Sequence, residues 1–302
     1  MTSDRQAVFA GLFSGMAFGA FWVPVRLVEQ AGFGAPWAMV IITLTPALMC
    51  LPLVLPRRME YIHGGWGLAG GLLAGIAYAL YSASLLYTEV MRAVLLFYLM
   101  PIWGFLLGWL ILRDRITFHR WLAIGLGWAG MFVIFADNSG IPLPRNVGDW
   151  FGVASGMFWA VGAVIILMSK KVHFMTHTMN FFGMAAALSV VVAWLATSNG
   201  AVPLPDLEKL SQVLIWFVPV SAILIIPAGI ASIFAPTRLN PGIVGLLFMT
   251  EIAVAAVTAA MWSGEALTWR EIVGLPLIIL AGLIEPITWF IHDKKNRIKS
   301  RI

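Results

Sequence analysis

Ten apolar runs divide this sequence, each close to the length that a helix needs to cross a lipid bilayer. A spanning helix requires about 20 mostly apolar residues. Of the 302 residues, 61% are hydrophobic and only 11% are charged, whereas a soluble domain has about 25% charged residues. These values exclude a soluble domain and predict an all-α membrane protein of ten transmembrane helices. The runs cover residues 7–28, 35–55, 66–86, 91–112, 120–136, 150–169, 176–197, 213–235, 241–263 and 271–291.

The basic residues are distributed unevenly between the two sides of this predicted bundle. Fourteen of the 19 Lys and Arg residues lie in segments on the side of the N-terminus, and five lie on the other side. Because Lys and Arg concentrate in cytoplasmic loops, both termini are predicted to be cytoplasmic and the number of spans to be even. The net charge of +5 then reflects topology, and no nucleic-acid partner is expected.

Two pairs of segments resemble each other between the halves of the chain. Residues 11–16 (GLFSGM) resemble residues 152–157 (GVASGM), and residues 114–117 (DRIT) resemble residues 265–268 (EALT). Each half contains five of the predicted spans. We therefore predict that the chain consists of two copies of a five-helix unit.

The two copies are predicted to cross the membrane in opposite directions, because five is an odd number of helices. The first covers residues 1–140 and the second residues 141–302. The loop around Asp114 is rich in arginine, whereas the equivalent loop around Glu265 contains only Arg270, as loops on opposite sides should differ. Inverted repeats are typical of secondary transporters, whose site lies near the midplane between the halves.

The segment from Tyr87 to Phe135 resembles the EamA-type repeat of the drug/metabolite transporter superfamily. It contains a membrane proline, Pro101, then the turn at 114–117 and a glycine-rich final helix. The resemblance implies a secondary transporter in a prokaryotic inner membrane, exporting small metabolites by alternating access. The stretch RAVLLFYLMPIW is similar to aromatic amino-acid exporters of the YddG type, which makes amino acids the leading substrate class.

Three rows of glycines recur at four-residue spacing, which places each row on one helix face. Such faces allow close approach of helix backbones. They suit internal packing, sliding of helices during transport, and homodimer formation. The rows are Gly11, Gly15 and Gly19; Gly67, Gly71 and Gly75; and Gly148, Gly152 and Gly156.

A group of aromatic and small polar residues is predicted to line a central cavity. Several continue the glycine rows or lie beside membrane prolines, which free backbone groups where a cavity can use them. Aromatic walls suit flat or apolar metabolites and stack on cations. The candidate substrate-binding residues are Trp22, Tyr78, Tyr81, Ser82, Tyr98, Pro101, Trp159 and Glu251.

Glu251 lies about ten residues into the ninth run, which places it about 15 Å deep. A carboxylate facing lipid at that depth is unfavourable, so the side chain is expected to face the protein interior or water. Two roles remain open for it: proton coupling or recognition of a substrate amine, and a protonated acid that joins helices. Glu285 and Arg238 are predicted to form a pair or gate nearer the cytoplasmic end.

Other function classes find less support in the sequence. We expect a non-enzyme without metal or cofactor, since the sequence has a single cysteine, Cys50, and no zinc-ligand spacing. A lipid or carrier-lipid flippase on the same fold is the alternative. The expected partners are a small-molecule substrate and membrane lipids. Two pairs near the external face, Arg26 with Glu29 and Glu89 with Arg92, are spaced for contact within a helix.

Overall fold

The computed structural model consists of helices joined by short connections. It describes residues 2–53, 55–113, 117–135, 144–263 and 269–299, and these contain no β-strand. The α-helices are α1 (Thr2–Gly19), α2 (Trp22–Gln30), α3 (Ala35–Cys50), α4 (Arg58–His63), α5 (Ala69–Tyr87), α6 (Val90–Phe97), α7 (Met100–Leu112), α8 (Phe118–Phe135), α9 (Val147–Met168), α10 (Phe174–Ser198), α11 (Leu207–Val220), α12 (Ile226–Phe234), α13 (Pro241–Phe248), α14 (Thr250–Ser263) and α15 (Trp269–Lys299).

Seven helical segments within the described ranges are long and apolar enough to cross a membrane, and two apolar helices are shorter. This confirms the predicted class, an all-α membrane protein. The count of ten spans stays a prediction. So does the domain boundary at residues 140 and 141, which lies outside the described residues, as do residues 114–116 and 265–268 of the second sequence match.

Three of the predicted spans are each built from two helices in the structure. The fourth is interrupted at Tyr98 and Leu99, between α6 and α7, and the ninth at Met249, between α13 and α14. Pro101 lies in the first turn of α7, where the missing N–H of a proline breaks no helical hydrogen bond. A third interruption, at Ala20 and Phe21, separates α1 from α2. Phe21, Leu99 and Met249 keep right-handed helical dihedral angles. Each donates its backbone N–H to the carbonyl oxygen three residues earlier, so the interruptions are local turns in the α-helical hydrogen-bond pattern inside the bundle.

The connections that precede α3, α6 and α11 lie at one end of the bundle. Trp37 Nε1 donates to Thr197 Oγ1 at 3.0 Å, which joins the start of α3 to the end of α10. Arg26 donates to the carbonyl oxygen of Thr88 at 3.3 Å, which joins α2 to the connection between α5 and α6. We name this end of the bundle the Arg26 end.

The connections that precede α5, α10 and α13 lie together at the opposite end, named here the Glu60 end. Glu60 Oε2 accepts from the backbone N–H of His173 at 2.7 Å and from Thr176 Oγ1 at 2.8 Å. Arg238 lines the same cavity as Glu60. The sequence predicts that this end is cytoplasmic.

Helix α1 packs against α13 through two of its glycines. A Cβ atom at Gly11 would lie 3.2 Å from Cβ of Leu247. A Cβ atom at Gly15 would lie 3.0 Å from the carbonyl oxygen of Phe248, beside the interruption between α13 and α14. The backbones of α1 and α13 are therefore close together at these two turns.

Helix α9 packs against α6 in the same way. A Cβ atom at Gly152 would lie 3.2 Å from Cβ of Leu96, and one at Gly156 would lie 2.5 Å from the carbonyl oxygen of Phe97. Leu96 and Phe97 precede Leu247 and Phe248 by 151 positions. The same number of positions separates residues 114–117 from residues 265–268. Equivalent glycines thus contact equivalent residues beside equivalent interruptions, and on these contacts we propose the inverted repeat.

In the remaining row, Gly67 packs against Ser169 and Val172 in the connection between α9 and α10, and Gly71 and Gly75 pack against α10. All three glycine rows therefore contact neighbouring helices of the same chain. The internal-packing interpretation accounts for them, and a homodimer, which stays a prediction, would use other surfaces.

Replacing Gly156 by Ala is expected to lower the free energy of unfolding by about 1–3 kcal/mol, because the added methyl group overpacks α9 against the carbonyl oxygen of Phe97. Gly183→Ala is the matched control, since a Cβ atom at Gly183 would have nothing within 4 Å. Thermal unfolding of the detergent-purified variants measures both. Equal stability of Gly156→Ala and the unmodified chain would contradict this account of the packing.

Candidate functional site

A small cavity lies in the interior of the bundle, beside the interruption between α13 and α14. Its volume is about 30 Å³, which has room for at most a few water molecules. This space is too small for a metabolite. Its lining residues come from α1, α5, α6, α9, α10, α12, α13 and α14: Phe18, Ala77, Tyr78, Tyr81, Phe97, Trp159, Phe181, Ser232, Phe248 and Glu251.

Among the described residues that line this cavity, Glu251 is the only acidic one. It lies in the first turn of α14, and only 3% of its surface is exposed. The hydroxyl of Tyr81 on α5 donates to its Oε1 atom, and the hydroxyl of Tyr98 lies 2.8 Å from its Oε2 atom. The carboxyl group thus joins the two predicted halves through two tyrosines of the first half.

The hydrogen-bond geometry at Tyr98 favours a protonated Glu251. The Tyr98 hydroxyl oxygen lies 2.5 Å from the carbonyl oxygen of Phe248 and 2.8 Å from Glu251 Oε2. A tyrosine hydroxyl has one proton to donate, and the Phe248 carbonyl can only accept. If Glu251 carries a proton on Oε2, it donates to Tyr98, and Tyr98 donates to Phe248. An ionised Glu251 would leave two acceptors competing for one proton.

Aromatic rings form the remaining wall of the cavity. Tyr78 stacks on Phe181, with ring centroids 4.8 Å apart, and Trp159 packs against Phe248 at 5.6 Å. The Tyr78 hydroxyl and Trp159 Nε1 are buried and have no hydrogen-bond partner among the residues that the structure describes. Buried donors of this kind are rare in native proteins. They can donate to a polar group that enters when the cavity enlarges.

Four of the predicted binding residues line the cavity: Tyr78, Tyr81, Trp159 and Glu251. Tyr98 does not line the cavity, but its hydroxyl group contacts Glu251. Trp22, Ser82 and Pro101 are not among the lining residues. Trp22 follows the interruption of α1 and donates from Nε1 to Thr258 Oγ1 at 3.0 Å, so the interruption turns it toward α14.

Several lining residues escaped the sequence analysis, among them Phe97, Phe181 and Phe248. Phenylalanines occur throughout the apolar runs, so composition does not distinguish these three. A usable signal exists for Phe97 and Phe248: they precede Tyr98 and Met249, where the two helices are interrupted, and they are 151 positions apart. Phe181 gives no comparable signal.

An ion pair joins α6 to α9 at the Arg26 end of the bundle. Arg92 Nη2 lies 2.5 Å from Asp149 Oδ2, and Asp149 is fully buried. The carboxylate also accepts from Thr88 Oγ1 at 2.7 Å and from the backbone N–H of Arg145 at 2.8 Å. The predicted partner of Arg92 was Glu89, and its pairing with Asp149 was not predicted. The predicted pair of Arg26 with Glu29 is present at 2.8 Å.

A second, larger cavity of about 750 Å³ lies at the Glu60 end. Arg238, predicted to act in a gate, lines this cavity and not the central one. The side chain of Glu285, its predicted partner, lies outside the part of the chain whose side chains the structure describes. Their pairing stays a prediction.

Comparison with known proteins gives a family and a fold. Residues 5–136 match the model of the EamA-like transporter family. A solved crystal structure is similar over 94% of this chain and 97% of its own, with a TM-score of 0.70 and 17% identity. At that identity the likeness concerns the fold alone. No curated protein sequence matches the chain.

Proposed function

We propose that this chain moves small metabolites by alternating access around the cavity beside Glu251, because residues 5–136 match the model of the EamA-like transporter family. This match supports a membrane transporter of the drug/metabolite type. Amino acids or related compounds are the proposed substrates and export is the proposed direction. The similarity to YddG-type exporters stays a prediction.

The observation that carries this proposal is the buried carboxyl group of Glu251 at the centre of the bundle. It faces an aromatic cavity that also holds two unpartnered donors, Tyr78 and Trp159. A carboxylate suits an amine, the donors suit a carboxylate or carbonyl group, and aromatic faces suit a flat apolar side chain. Together these groups match the parts of an aromatic amino acid.

The proposed coupling uses the proton on Glu251. In the closed form that proton completes the hydrogen-bond chain through Tyr98 to the Phe248 carbonyl. When the cavity opens to water, hydration stabilises the ionised carboxylate, and Glu251 can release its proton and bind a substrate amine. Reclosing without substrate then requires Glu251 to regain a proton, which links proton movement to substrate movement.

The structure also suggests where the bundle would move. Interruptions in α6–α7 and α13–α14 lie beside the cavity, and smooth glycine faces of α9 and α1 pack against them. A small change in backbone angles at an interruption can reorient a half-helix while its packing partner stays in place. We propose these two places as the hinges of alternating access.

Thermal stabilisation of the purified protein tests the proposed substrate class. Aromatic amino acids are expected to raise the melting temperature in a concentration-dependent manner, because a ligand that binds only the folded form stabilises it. Trp159→Leu is expected to weaken the apparent affinity about tenfold, through loss of one ring contact and one donor. Trp262→Leu is the control, since Trp262 is 66% exposed on the bundle surface.

Compounds that stabilise the protein are then tested for transport into proteoliposomes with a pH gradient. No stabilisation by amino acids or amines, or equal effects of the two tryptophan variants, would contradict the proposed substrate class. Stabilisation only by lipid-like compounds would favour the flippase alternative.

A further inference from the structure

The 750 Å³ cavity at the Glu60 end is separate from the site described above, since the two share no lining residue. Its size lies in the range of small-molecule binding cavities. The connection between α9 and α10, the end of α12 and the connection to α13 form its wall, and Glu60 of α4 completes it. The lining residues are Glu60, Ile166, Leu167, Ser169, Lys170, Lys171, Val172, His173, Phe174, Phe234, Thr237 and Arg238.

Three cations converge on this cavity from two separate connections. Lys170 and Lys171 follow α9, and Arg238 precedes α13. None of the three forms an ion pair with a residue whose side chain the structure describes. Positive charges held around one concave space raise the local concentration of anions.

The one acidic residue in the lining does not neutralise them. Glu60 Oε2 accepts both the backbone N–H of His173 and the hydroxyl of Thr176. The carboxylate therefore satisfies the N-terminus of α10, where negative charge is favoured by the helix dipole. Its hydrogen bonds bind it to α10 and not to Lys170, Lys171 or Arg238.

The rest of the lining is largely apolar. Ile166, Val172, Phe174 and Phe234 contribute aliphatic and aromatic side chains. A ligand that fits both parts carries an anionic group at one end and an apolar body at the other. Arg and Lys both bind phosphate strongly, Arg through two parallel hydrogen bonds.

We propose that this cavity binds the phosphate group of an amphipathic molecule, held by Lys170, Lys171 and Arg238 with its apolar part against Phe174 and Phe234. Two sources supply such a group: an anionic phospholipid of the adjoining leaflet and a water-soluble organic phosphate. Basic cavities between transmembrane helices bind lipid headgroups in this manner. The site is distinct from the proposed transport site and holds whether or not Glu251 couples protons.

Binding to the detergent-purified full chain tests the proposal. The probes are dihexanoyl phosphatidylglycerol, its zwitterionic phosphatidylcholine counterpart and inorganic phosphate, with apparent affinities taken from thermal-shift titrations. The unmodified chain is expected to bind the anionic lipid at least tenfold more tightly than the zwitterionic one. In Lys171→Gln/Arg238→Gln the preference is expected to fall below about twofold, because two of the three protein cations that favour the anionic lipid have been removed.

The matched control is Arg58→Gln/Arg113→Gln, which removes two exposed arginines from the same predicted side without touching the cavity lining. It should keep the full preference. Competition by inorganic phosphate assigns the site to water-soluble phosphates as well as lipids, and its absence assigns it to lipid headgroups. An undiminished preference in the cavity variant, or the same loss in the control, would overturn the proposal. Size-exclusion elution and the unliganded melting temperature identify any variant that fails to fold.

Discussion

Replacing Glu251 by Gln is expected to abolish transport driven by a pH gradient while leaving the protein folded. The glutamine oxygen can accept from Tyr81, and its amide can donate to Tyr98, so both hydrogen bonds of the protonated acid are retained. The free energy of unfolding should change by less than about 1 kcal/mol. A glutamine amide neither gains nor loses a proton at physiological pH, so a pH gradient cannot drive transport through this residue.

Counterflow in proteoliposomes separates coupling from binding, because substrate exchange across the membrane needs no net proton movement. Glu251→Gln should retain some exchange if Glu251 serves coupling, and should lose it if the carboxylate is needed to bind a substrate amine. Glu29→Gln is the control, an acid in a half-exposed pair with Arg26. Full gradient-driven transport in Glu251→Gln would eliminate the coupling role.

Replacing Arg92 by Ala is expected to destabilise the protein by about 3–5 kcal/mol. Asp149 is fully buried and its Oδ2 atom lies 2.5 Å from Arg92 Nη2, whereas the Arg92 side chain is 18% exposed. Removing the arginine leaves a buried carboxylate without its charge partner, which costs far more than the net stability that the pair contributes. Hydrogen bonds from Thr88 and the backbone of Arg145 offset part of this loss.

A double-mutant cycle with Asp149→Asn measures the interaction. Arg92→Ala/Asp149→Asn should recover more than half of the stability lost in Arg92→Ala, since no buried charge remains. Arg26→Ala is the comparison, because its pair with Glu29 is 29% and 32% exposed and should contribute less than about 1 kcal/mol. Equal losses for Arg92→Ala and Arg26→Ala would refute the importance of burial at Asp149.

The sequence predicted the class of fold and the central position of Glu251 because both depend on burial along the membrane normal. An apolar run has to lie in the bilayer, and an acid in the middle of one has to face the interior. The rotation of each helix about its axis is less constrained, because a run that is apolar on all sides has no face that must be buried. Trp22 shows the consequence: it was expected at the cavity, but it contacts Thr258.

Partners distant in the chain were harder to predict from the same sequence. Asp149 looked like part of a connection between spans, yet it lies in the first turn of α9 and pairs with Arg92. Glycine spacing was the most informative local pattern. It identified the faces of α1, α5 and α9 that contact other helices, because only a glycine allows another backbone so close.

The small size of the central cavity has a consequence for measured affinity. A space of about 30 Å³ accommodates no metabolite, so binding requires a conformation in which Tyr78 and Phe181, or Trp159 and Phe248, have moved apart. If that conformation makes up a fraction of the unliganded population, the apparent dissociation constant exceeds the intrinsic one by the inverse of that fraction. Weak apparent binding in detergent would then report the rarity of the open form, while the intrinsic contacts with the substrate remain strong.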